Sequence, residues 1–210
     1  LSAFYFDIRK DSLYCDGPDT PTRLAAMTVL DALFNCLTAW FAPILCFTAE
    51  EAWLSRTGDA PDNSVHLRQF PDIPDTWRDD DLADKWTQLR AIRRTVTGAI
   101  EIERANKTIR SSLQAAVDVY LSTADKAAFE NIDGAELTIT SALNLIEGAA
   151  PDDAFMLDDV AGISVMVRSA DGDKCERCWR VLPDVGTDPE LPGVCGRCAD
   201  VVRDQRAAAA

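Results

Sequence analysis

Basic residues are scarce in this sequence. Only 21 Lys and Arg stand against 35 Asp and Glu in 210 residues, so the formal net charge is −14 at pH 7. This balance argues against a protein that covers nucleic acid with a broad basic surface, because affinity for phosphate comes largely from Lys and Arg. Any contact with nucleic acid therefore depends on where the few cations cluster.

Long apolar runs and an N-terminal leader are also missing. No apolar run approaches the ~20 residues of a membrane span, and no charged-then-apolar leader precedes the first residues. The first residue, Leu1, is not a methionine. We therefore expect a soluble, cytoplasmic chain without a membrane partner, whose start lies inside a longer protein. Its 47% apolar residues are enough for a core.

Histidine is almost absent, whereas cysteine is unusually placed. His66 is the only histidine, and we assign it a structural role in a strand-like segment. No catalytic residue is predicted. Three of the seven cysteines, Cys15, Cys36 and Cys46, are scattered through apolar helical sequence. Such a distribution is typical of reduced thiols in a cytosolic protein.

The other four cysteines have the spacing of a zinc site. They form two C-x2-C pairs separated by sixteen residues: Cys175, Cys178, Cys195 and Cys198. Two cysteines on one tight turn can direct both sulfurs at an ion about 2.3 Å away, and the second pair completes a tetrahedron. Gly196 suits a left-handed or closely approached backbone. Because four thiolates leave no position open to water or substrate, we predict one structural Zn²⁺.

Two other uses of these cysteines fit the sequence less well. Disulfides require an oxidising compartment, for which no leader is present. A redox motif requires a single C-x2-C pair near a βαβ pattern, which this sequence lacks. The doubled pair therefore favours zinc.

Hydrophobic periodicity predicts a mainly α fold. Long helices are expected from Pro21 to Phe41 and from Leu82 to Ala105, and the first has an apolar arc wide enough to be buried on most of its surface. Later segments alternate like strands. The predicted parts are a helical bundle over 1–112, a small α+β junction unit over 113–170, a zinc ribbon over 171–206 and a frayed tail over 207–210.

The cations gather on the second long helix and on the ribbon. The helix cations lie within about 100° of arc beside its buried stripe, where a solvated face with ion pairs is the alternative. The ribbon residues favour an anionic ligand with stackable rings, although Trp179 has the alternative of packing under the cysteines. These residues are Arg90, Arg93, Arg94 and Arg104 on the helix and Arg177, Trp179, Arg180 and Arg197 on the ribbon.

Five segments of the sequence are informative together: LSAFYFDIRKDSLYCD, LTAWFAPILCFTAEEAW, SVHLRQFP, IERANKTIRSSLQAAVDVYL and KCERCWRV…CGRC. They closely resemble the C-terminal part of bacterial isoleucyl-tRNA synthetases. The resemblance covers about Leu1 to Arg203. Arg110 stands where the family usually has Gly after the Ile of K-x-I, which raises a question about the turn there.

The resemblance implies a helical anticodon-binding domain, a junction unit and a zinc domain that helps to hold the anticodon stem-loop of tRNA(Ile). It implies that isoleucine activation with ATP and Mg²⁺, transfer to tRNA and editing of mischarged valine belong to the parent ligase. This chain has no HIGH or KMSKS signature, so we expect no aminoacylation from it alone. The rest of the synthetase chain is an expected partner, and a monomer is expected.

The resemblance also implies that the clustered cations contact tRNA. It implies that Lys107 joins the helix arginines in phosphate contacts, which position RNA without reading it. Unpaired anticodon bases are read by stacking and edge hydrogen bonds, for which Trp179 and Arg180 are the candidates.

Two other functions stay open at this point. One is the zinc-ribbon region of a formamidopyrimidine-type DNA glycosylase, although the chain begins Leu-Ser-Ala instead of with the catalytic proline of such enzymes. The other is a non-enzymatic protein-interaction module, which the charge of −14 favours. Binding to tRNA, to duplex DNA or to neither separates the three.

Overall fold

Helices make up most of the regular structure in the computed structural model, which describes residues 1–209. A π-helical segment over Ser2–Phe6 leads directly into the first α-helix. The α-helices are α1 (Asp7–Cys15), α2 (Pro21–Phe41), α3 (Cys46–Thr57), α4 (Asp80–Ala105), α5 (Thr123–Ala127), α6 (Gly134–Thr138) and α7 (Gly196–Ala208). The strands are β1 (Ala115–Leu121), β2 (Ala142–Glu147), β3 (Ser164–Ser169), β4 (Asp173–Lys174) and β5 (Val181–Leu182). The prediction of a mainly α chain with a small α+β part is confirmed.

The chain divides into two compact units. One combines Leu1–Gly17 with the chain from Asp80 onward, and the other is Pro18–Asp79. These units cut across the predicted parts, since α1 belongs with the sheet and the ribbon instead of with α2 and α3. The boundaries at 112 and 170, which separate the predicted functional parts of the chain, stay predictions.

The larger unit is built on a three-stranded sheet in the order β2-β1-β3. The central strand β1 is parallel to β2 and antiparallel to β3, so that Val117 lies opposite both Leu143 and Val167. The apolar stripe of α4 shares one core with this sheet. Each fully buried aliphatic side chain there contributes about 1.5–3 kcal/mol. The central members are Leu89, Ile92, Val96, Val117, Val119 and Val165.

The smaller unit pairs α2 with α3. Trp53 stacks on Phe34 with ring centroids 6.1 Å apart, and its indole nitrogen donates to the Asn63 Oδ1 at 3.0 Å. The strand predicted around His66 is wrong, because this segment forms a 3₁₀ turn over Val65–Leu67. Ser64 caps that turn, and its hydroxyl accepts a hydrogen bond from the backbone N–H of His66.

The apolar arc of α2 is only partly buried, contrary to prediction. Leu33, Phe34 and Leu37 are half-buried, whereas the exposed large apolar side chains of this helix keep between 42% (Val29) and 49% (Leu24) of their surface accessible. Among the described residues, α2 is the one helix that length and composition alone would allow to cross a membrane, and 22% of its apolar window is buried. The expectation concerned uninterrupted apolar runs, and α2 contains none of this length because polar residues divide it. Alanines, threonines, Asn35 and Cys36 interrupt the aliphatic residues of α2, but only Arg23 and Asp31 bring charge.

The tail predicted to fray is partly helical. Helix α7 continues to Ala208, and Ala209 still has α-helical backbone angles. Alanine has the highest intrinsic helix propensity, so it extends the helix without tertiary contacts. The prediction that 207–210 frays stays a prediction, and Ala210 lies outside the described residues.

Candidate functional site

The four clustered cysteines converge in the larger unit. Their four sulfurs lie within 4.8 Å of one another, and the Sγ atoms of Cys178 and Cys195 are 3.9 Å apart. A zinc–sulfur bond of about 2.3 Å places tetrahedral sulfurs about 3.8 Å apart, whereas a disulfide requires about 2.05 Å. All four residues are buried, at 7% exposure or less. The group can therefore hold one zinc ion with no open coordination position.

Two short backbone motifs aim these sulfurs. Strands β4 and β5 pair around the first motif, where the Cys175 N–H donates to the Arg180 carbonyl at 2.9 Å. The second motif starts α7, with Cys195 as its N-cap residue and Cys198 in its first turn. The positive end of a helix dipole favours thiolate. Sequence reasoning missed this helix start, although CGRCADVV carries a helical pattern.

Two glycines permit close approaches within the ribbon. Gly172 has a φ of 106°, and a Cβ there would lie 2.3 Å from the Leu182 backbone. Gly196 does not have a positive φ. Its N–H instead donates to the Asp184 carboxylate at 2.9 Å, and an added Cβ would lie 3.2 Å from that group. The close approach of the Asp184 carboxylate, and not a left-handed backbone, therefore explains the glycine at position 196.

Two of the clustered cysteines, Cys178 and Cys195, have raised pKa values. A hydrogen bond with Cys198, followed by burial, raises the pKa of Cys178 to about 12. Burial raises the pKa of Cys195 to about 11. Zinc ligation requires thiolates, so metal binding has to displace these protons.

The three ribbon arginines dock the ribbon onto the rest of its unit. Arg197 forms a bidentate ion pair with Asp11 of α1, at 2.6 and 2.9 Å. Arg177 donates to the backbone carbonyls of Tyr14 and Cys15. Arg180 donates to the Ser141 carbonyl at 2.8 Å. These guanidinium groups are therefore already engaged by protein oxygen atoms.

The ion pair of Arg197 is expected to stabilise the docked ribbon. We predict that Arg197→Ala lowers the free energy of unfolding by about 1–2 kcal/mol, because it leaves Asp11 without its partner while solvent screens part of the loss. Arg197→Lys should fall in between, since lysine keeps the charge but not the bidentate geometry. Urea denaturation followed by circular dichroism measures both, and an unchanged midpoint for Arg197→Ala would contradict the assignment.

Trp179 projects from the ribbon instead of packing under the cysteines. Its side chain is 60% exposed, and the apolar residues that pack against the cysteines are Leu182, Val185 and Val194. Its φ of 66° places it in the left-handed region, directly after the first cysteine pair. The ammonium group of Lys174 lies 4.7 Å from the indole centroid. Of the two expectations for Trp179, packing under the site does not fit this position.

A cleft opens beside Trp179. It has a volume of about 380 Å³ and lies between α1, α6 and the ribbon. Its volume falls within the range of about 300–1,000 Å³ that is usual for ligand pockets. Tyr14, which is 75% exposed, belongs to its lining. Tyr14 was missed from the sequence, because α1 and the ribbon are more than 150 residues apart along the chain. Lys174 was also missed, although it lies only five residues before Trp179.

The arginines of α4 divide into engaged and accessible groups. Arg93 is half-buried and donates to the Leu137 carbonyl at 2.9 Å, and burial lowers its pKa. Arg90 is exposed above the Phe4 ring, 4.7 Å from its centroid. Arg94 pairs with Asp159 at 2.7 Å and Arg104 with Glu101 at 2.7 Å, all at exposed positions.

A basic groove runs along part of α4. It has a volume of about 610 Å³, and no carboxylate lines it. Arg90, Arg93 and Arg94 all contribute to its lining, together with Phe4 from the N-terminal segment. Arg104 and Lys107 do not line this groove. The structure therefore brings together three of the five predicted cations of this region.

Comparisons with known proteins agree with these features. Residues 1–121 match the anticodon-binding domain of tRNA ligases, and residues 172–201 match the zinc finger found in FPG and IleRS. The isoleucine–tRNA ligase of Agrobacterium fabrum is 50% identical over 205 residues, which cover 97% of this chain and 21% of the relative. Those of Brucella abortus and Mesorhizobium japonicum are each 51% identical over 99% of this chain and 21% of the relative.

The chain thus spans about a fifth of the length of these relatives. The zinc-finger match alone does not separate a ligase from a glycosylase, because its description covers both. The match over 1–121 covers more than half of the chain and concerns tRNA ligases only. The chain therefore belongs to the anticodon-binding domain family of tRNA ligases and includes a zinc finger of the type found in isoleucine–tRNA ligases.

Proposed function

We propose that this chain is the part of an isoleucine–tRNA ligase that binds the anticodon stem-loop of tRNA(Ile). The observation that carries the proposal is the combination, in one chain, of an anticodon-binding domain over 1–121 with a zinc finger over 172–201. The zinc ion is structural, because four buried thiolates leave it no position for a substrate. Recognition then depends on side chains outside the metal site.

The groove on α4 is the proposed contact for the RNA backbone. Arg90 is the best placed of the predicted residues, since its guanidinium is exposed and faces an aromatic ring instead of a carboxylate. Arg94 and Arg104 become available when phosphate replaces their surface ion pairs, which are worth little in water. Arg93 holds the groove in shape through its bond to Leu137.

The cleft beside Trp179 is the proposed contact for anticodon bases. Exposed rings of Trp179 and Tyr14 offer surfaces on which unpaired bases stack. Arg177, Arg180 and Arg197 support this surface by holding the ribbon against α1 and Ser141. Their proposed role in tRNA binding is therefore to position Trp179.

The remaining functions belong to the proposed parent ligase. We infer that activation of isoleucine with ATP and Mg²⁺, transfer to tRNA and editing take place in cytoplasmic polypeptide beyond these 210 residues. The exposed apolar residues that include Trp40, Phe41 and Phe47 fit a contact with that polypeptide better than a contact with lipid. In isolation the chain is proposed to be a monomer.

The proposal is tested by titrating the zinc-loaded chain with a fluorescently labelled tRNA(Ile) transcript and with a labelled DNA duplex of similar length. Preferred binding of the tRNA supports it. Preferred binding of the duplex favours the glycosylase-type alternative, and binding of neither favours a protein-interaction module. Both of the last two results would sink the proposal.

Replacing Arg90 and Arg94 together with Ala should weaken tRNA binding about fivefold to twentyfold at 0.1 M salt and should lower the salt slope by about 1 to 2. The reason is the loss of one or two phosphate contacts. Fluorescence anisotropy at several salt concentrations measures both quantities. Lys85→Ala is the matched control on α4, because the Lys85 ammonium group donates to the Glu130 carbonyl and does not line the groove. An unchanged slope in the double variant would rule out this groove.

A further inference from the structure

A second cleft lies where α4 ends, away from the groove lined by Arg90. It has a volume of about 410 Å³ and is lined by the segment after α4, the end of β3 and the ribbon. No carboxylate from residues 1–209 lines it, although the chain carries 35 acidic residues. Its lining residues are Lys107, Thr108, Ile109, Arg110, Gln114, Ser169, Ala170 and Val181.

The polar groups of this cleft are predominantly donors. Lys107 and Arg110 are exposed, and their side chains have no hydrogen-bond or ion-pair partner within residues 1–209. Gln114 uses its side-chain oxygen to accept from the Arg110 N–H at 2.8 Å, so its amide NH₂ group stays available as a donor. The hydroxyls of Thr108 and Ser169 add two further donors at the rim. Such a set matches the oxygen atoms of a phosphodiester.

The backbone of the segment holds the two cations in place. Lys107 has a φ of 63°, and its N–H donates to the Arg104 carbonyl at 3.1 Å, which ends α4. Arg110 does not have a positive φ, so the backbone at this position accommodates an arginine without strain. The turn therefore does not require the glycine that the family usually has here. The neighbouring Ile109 is 3% exposed and anchors the segment in the core. The cations therefore project from a fixed loop.

We propose that this cleft binds a backbone phosphate of the RNA, with Lys107 and Arg110 as its two charged ligands and Gln114, Thr108 and Ser169 as neutral donors. The inference rests on the proposed function and adds Arg110 and a defined second phosphate site to it. It also extends the RNA surface to the border of the ribbon, since Val181 of β5 lines the same cleft.

The test uses the 210-residue, zinc-loaded chain and the variant Lys107→Asn with Arg110→Ala. Asparagine tolerates the left-handed backbone at position 107, so this change removes a charge with little strain. The double variant should bind the tRNA(Ile) transcript about fivefold to tenfold more weakly at 0.1 M salt, with a salt slope lower by about 1 to 2. Thermal unfolding and zinc content should equal those of the unmodified chain.

Lys126→Ala is the matched control. This lysine follows β1, whereas the cleft lies at the start of β1, and it pairs with Glu147 at 2.9 Å. The control should leave affinity and salt slope unchanged. If the unmodified chain binds tRNA and the double variant binds it equally well, the phosphate site is overturned while the proposed function stands. If the unmodified chain does not bind tRNA, the proposed function fails, and the phosphate site fails with it.

Discussion

Replacing Cys195 with Ala should abolish zinc binding and unfold the ribbon over 172–201, while the sheet stays folded. The ribbon has two strands of two residues each, and the apolar residues that cluster with its cysteines within residues 1–209 are Leu182, Val185, Val194 and Cys15 of α1. So small a core does not hold a fold, whereas structural zinc supplies about 10–16 kcal/mol in zinc-finger peptides at pH 7. The metal is therefore expected to dominate the stability of the ribbon.

Two measurements check this expectation. Mass spectrometry should show a decrease from about one zinc per chain to none. Hydrogen exchange should show loss of protection at Glu176, whose N–H donates to the Gly193 carbonyl at 2.9 Å, and retained protection at Val117 in β1. Cys46→Ala is the control, because Cys46 is exposed and outside the cluster. A Cys195→Ala chain that keeps its zinc or its protected ribbon would contradict the assignment.

Replacing Trp179 with Ala should weaken tRNA binding by about 1–3 kcal/mol, or roughly fivefold to 150-fold, which is the cost of losing one base–aromatic stack. The ribbon should keep its zinc and stability, since the indole is 60% exposed and contacts Lys174 instead of the metal core. Alanine faces the same left-handed backbone as tryptophan at this position, so backbone strain does not change.

Fluorescence anisotropy with the tRNA(Ile) transcript measures the affinity, and mass spectrometry measures the zinc content. Trp77→Ala is the matched control, because Trp77 is 62% exposed and lies in the other compact unit. Trp179→Phe should restore part of the affinity, since a smaller ring still stacks. Equal affinities for Trp179→Ala and the unmodified chain would remove Trp179 from the proposed surface.

Much of the fold could be predicted because its signals are local. Apolar periodicity located α2 with the bounds Pro21–Phe41 that the structure shows. Alternation indicated strands in the later segments, where β1 is found. The cysteine spacing predicted the metal group, because a C-x2-C pair brings its two sulfurs close through local geometry alone.

The docking of the ribbon could not be predicted because its partners are distant in sequence. Arg197 and Asp11 are 186 residues apart, and Arg180 is 39 residues from Ser141. No periodicity links such positions, so cations that the sequence presented as free prove to be paired. The turn at His66 was missed for a related reason: Glu50, on α3, accepts the Val65 N–H at 2.8 Å and draws the segment away from an extended strand.

The burial of α2 was also overestimated, because it depends on which surface packs against this helix. The pattern of α2 gives the width of its apolar arc but not what covers it, and within residues 1–209 much of that arc is exposed. For Trp179 the sequence left two alternatives open, since an indole next to two cysteines can pack beneath them or project into solvent. Its left-handed backbone, with a φ of 66°, turns it outward.

Nuclease protection of the tRNA(Ile) transcript by the zinc-loaded chain tests the central proposal most directly. If the groove on α4 and the cleft beside Trp179 hold the anticodon end, protection should be confined to the anticodon stem and loop. Removal of the zinc by a chelator should abolish protection of the loop bases, because the ribbon that carries Trp179 unfolds. Protection confined to the acceptor end, or an anticodon loop that stays fully cleaved at saturating protein, would contradict the proposal.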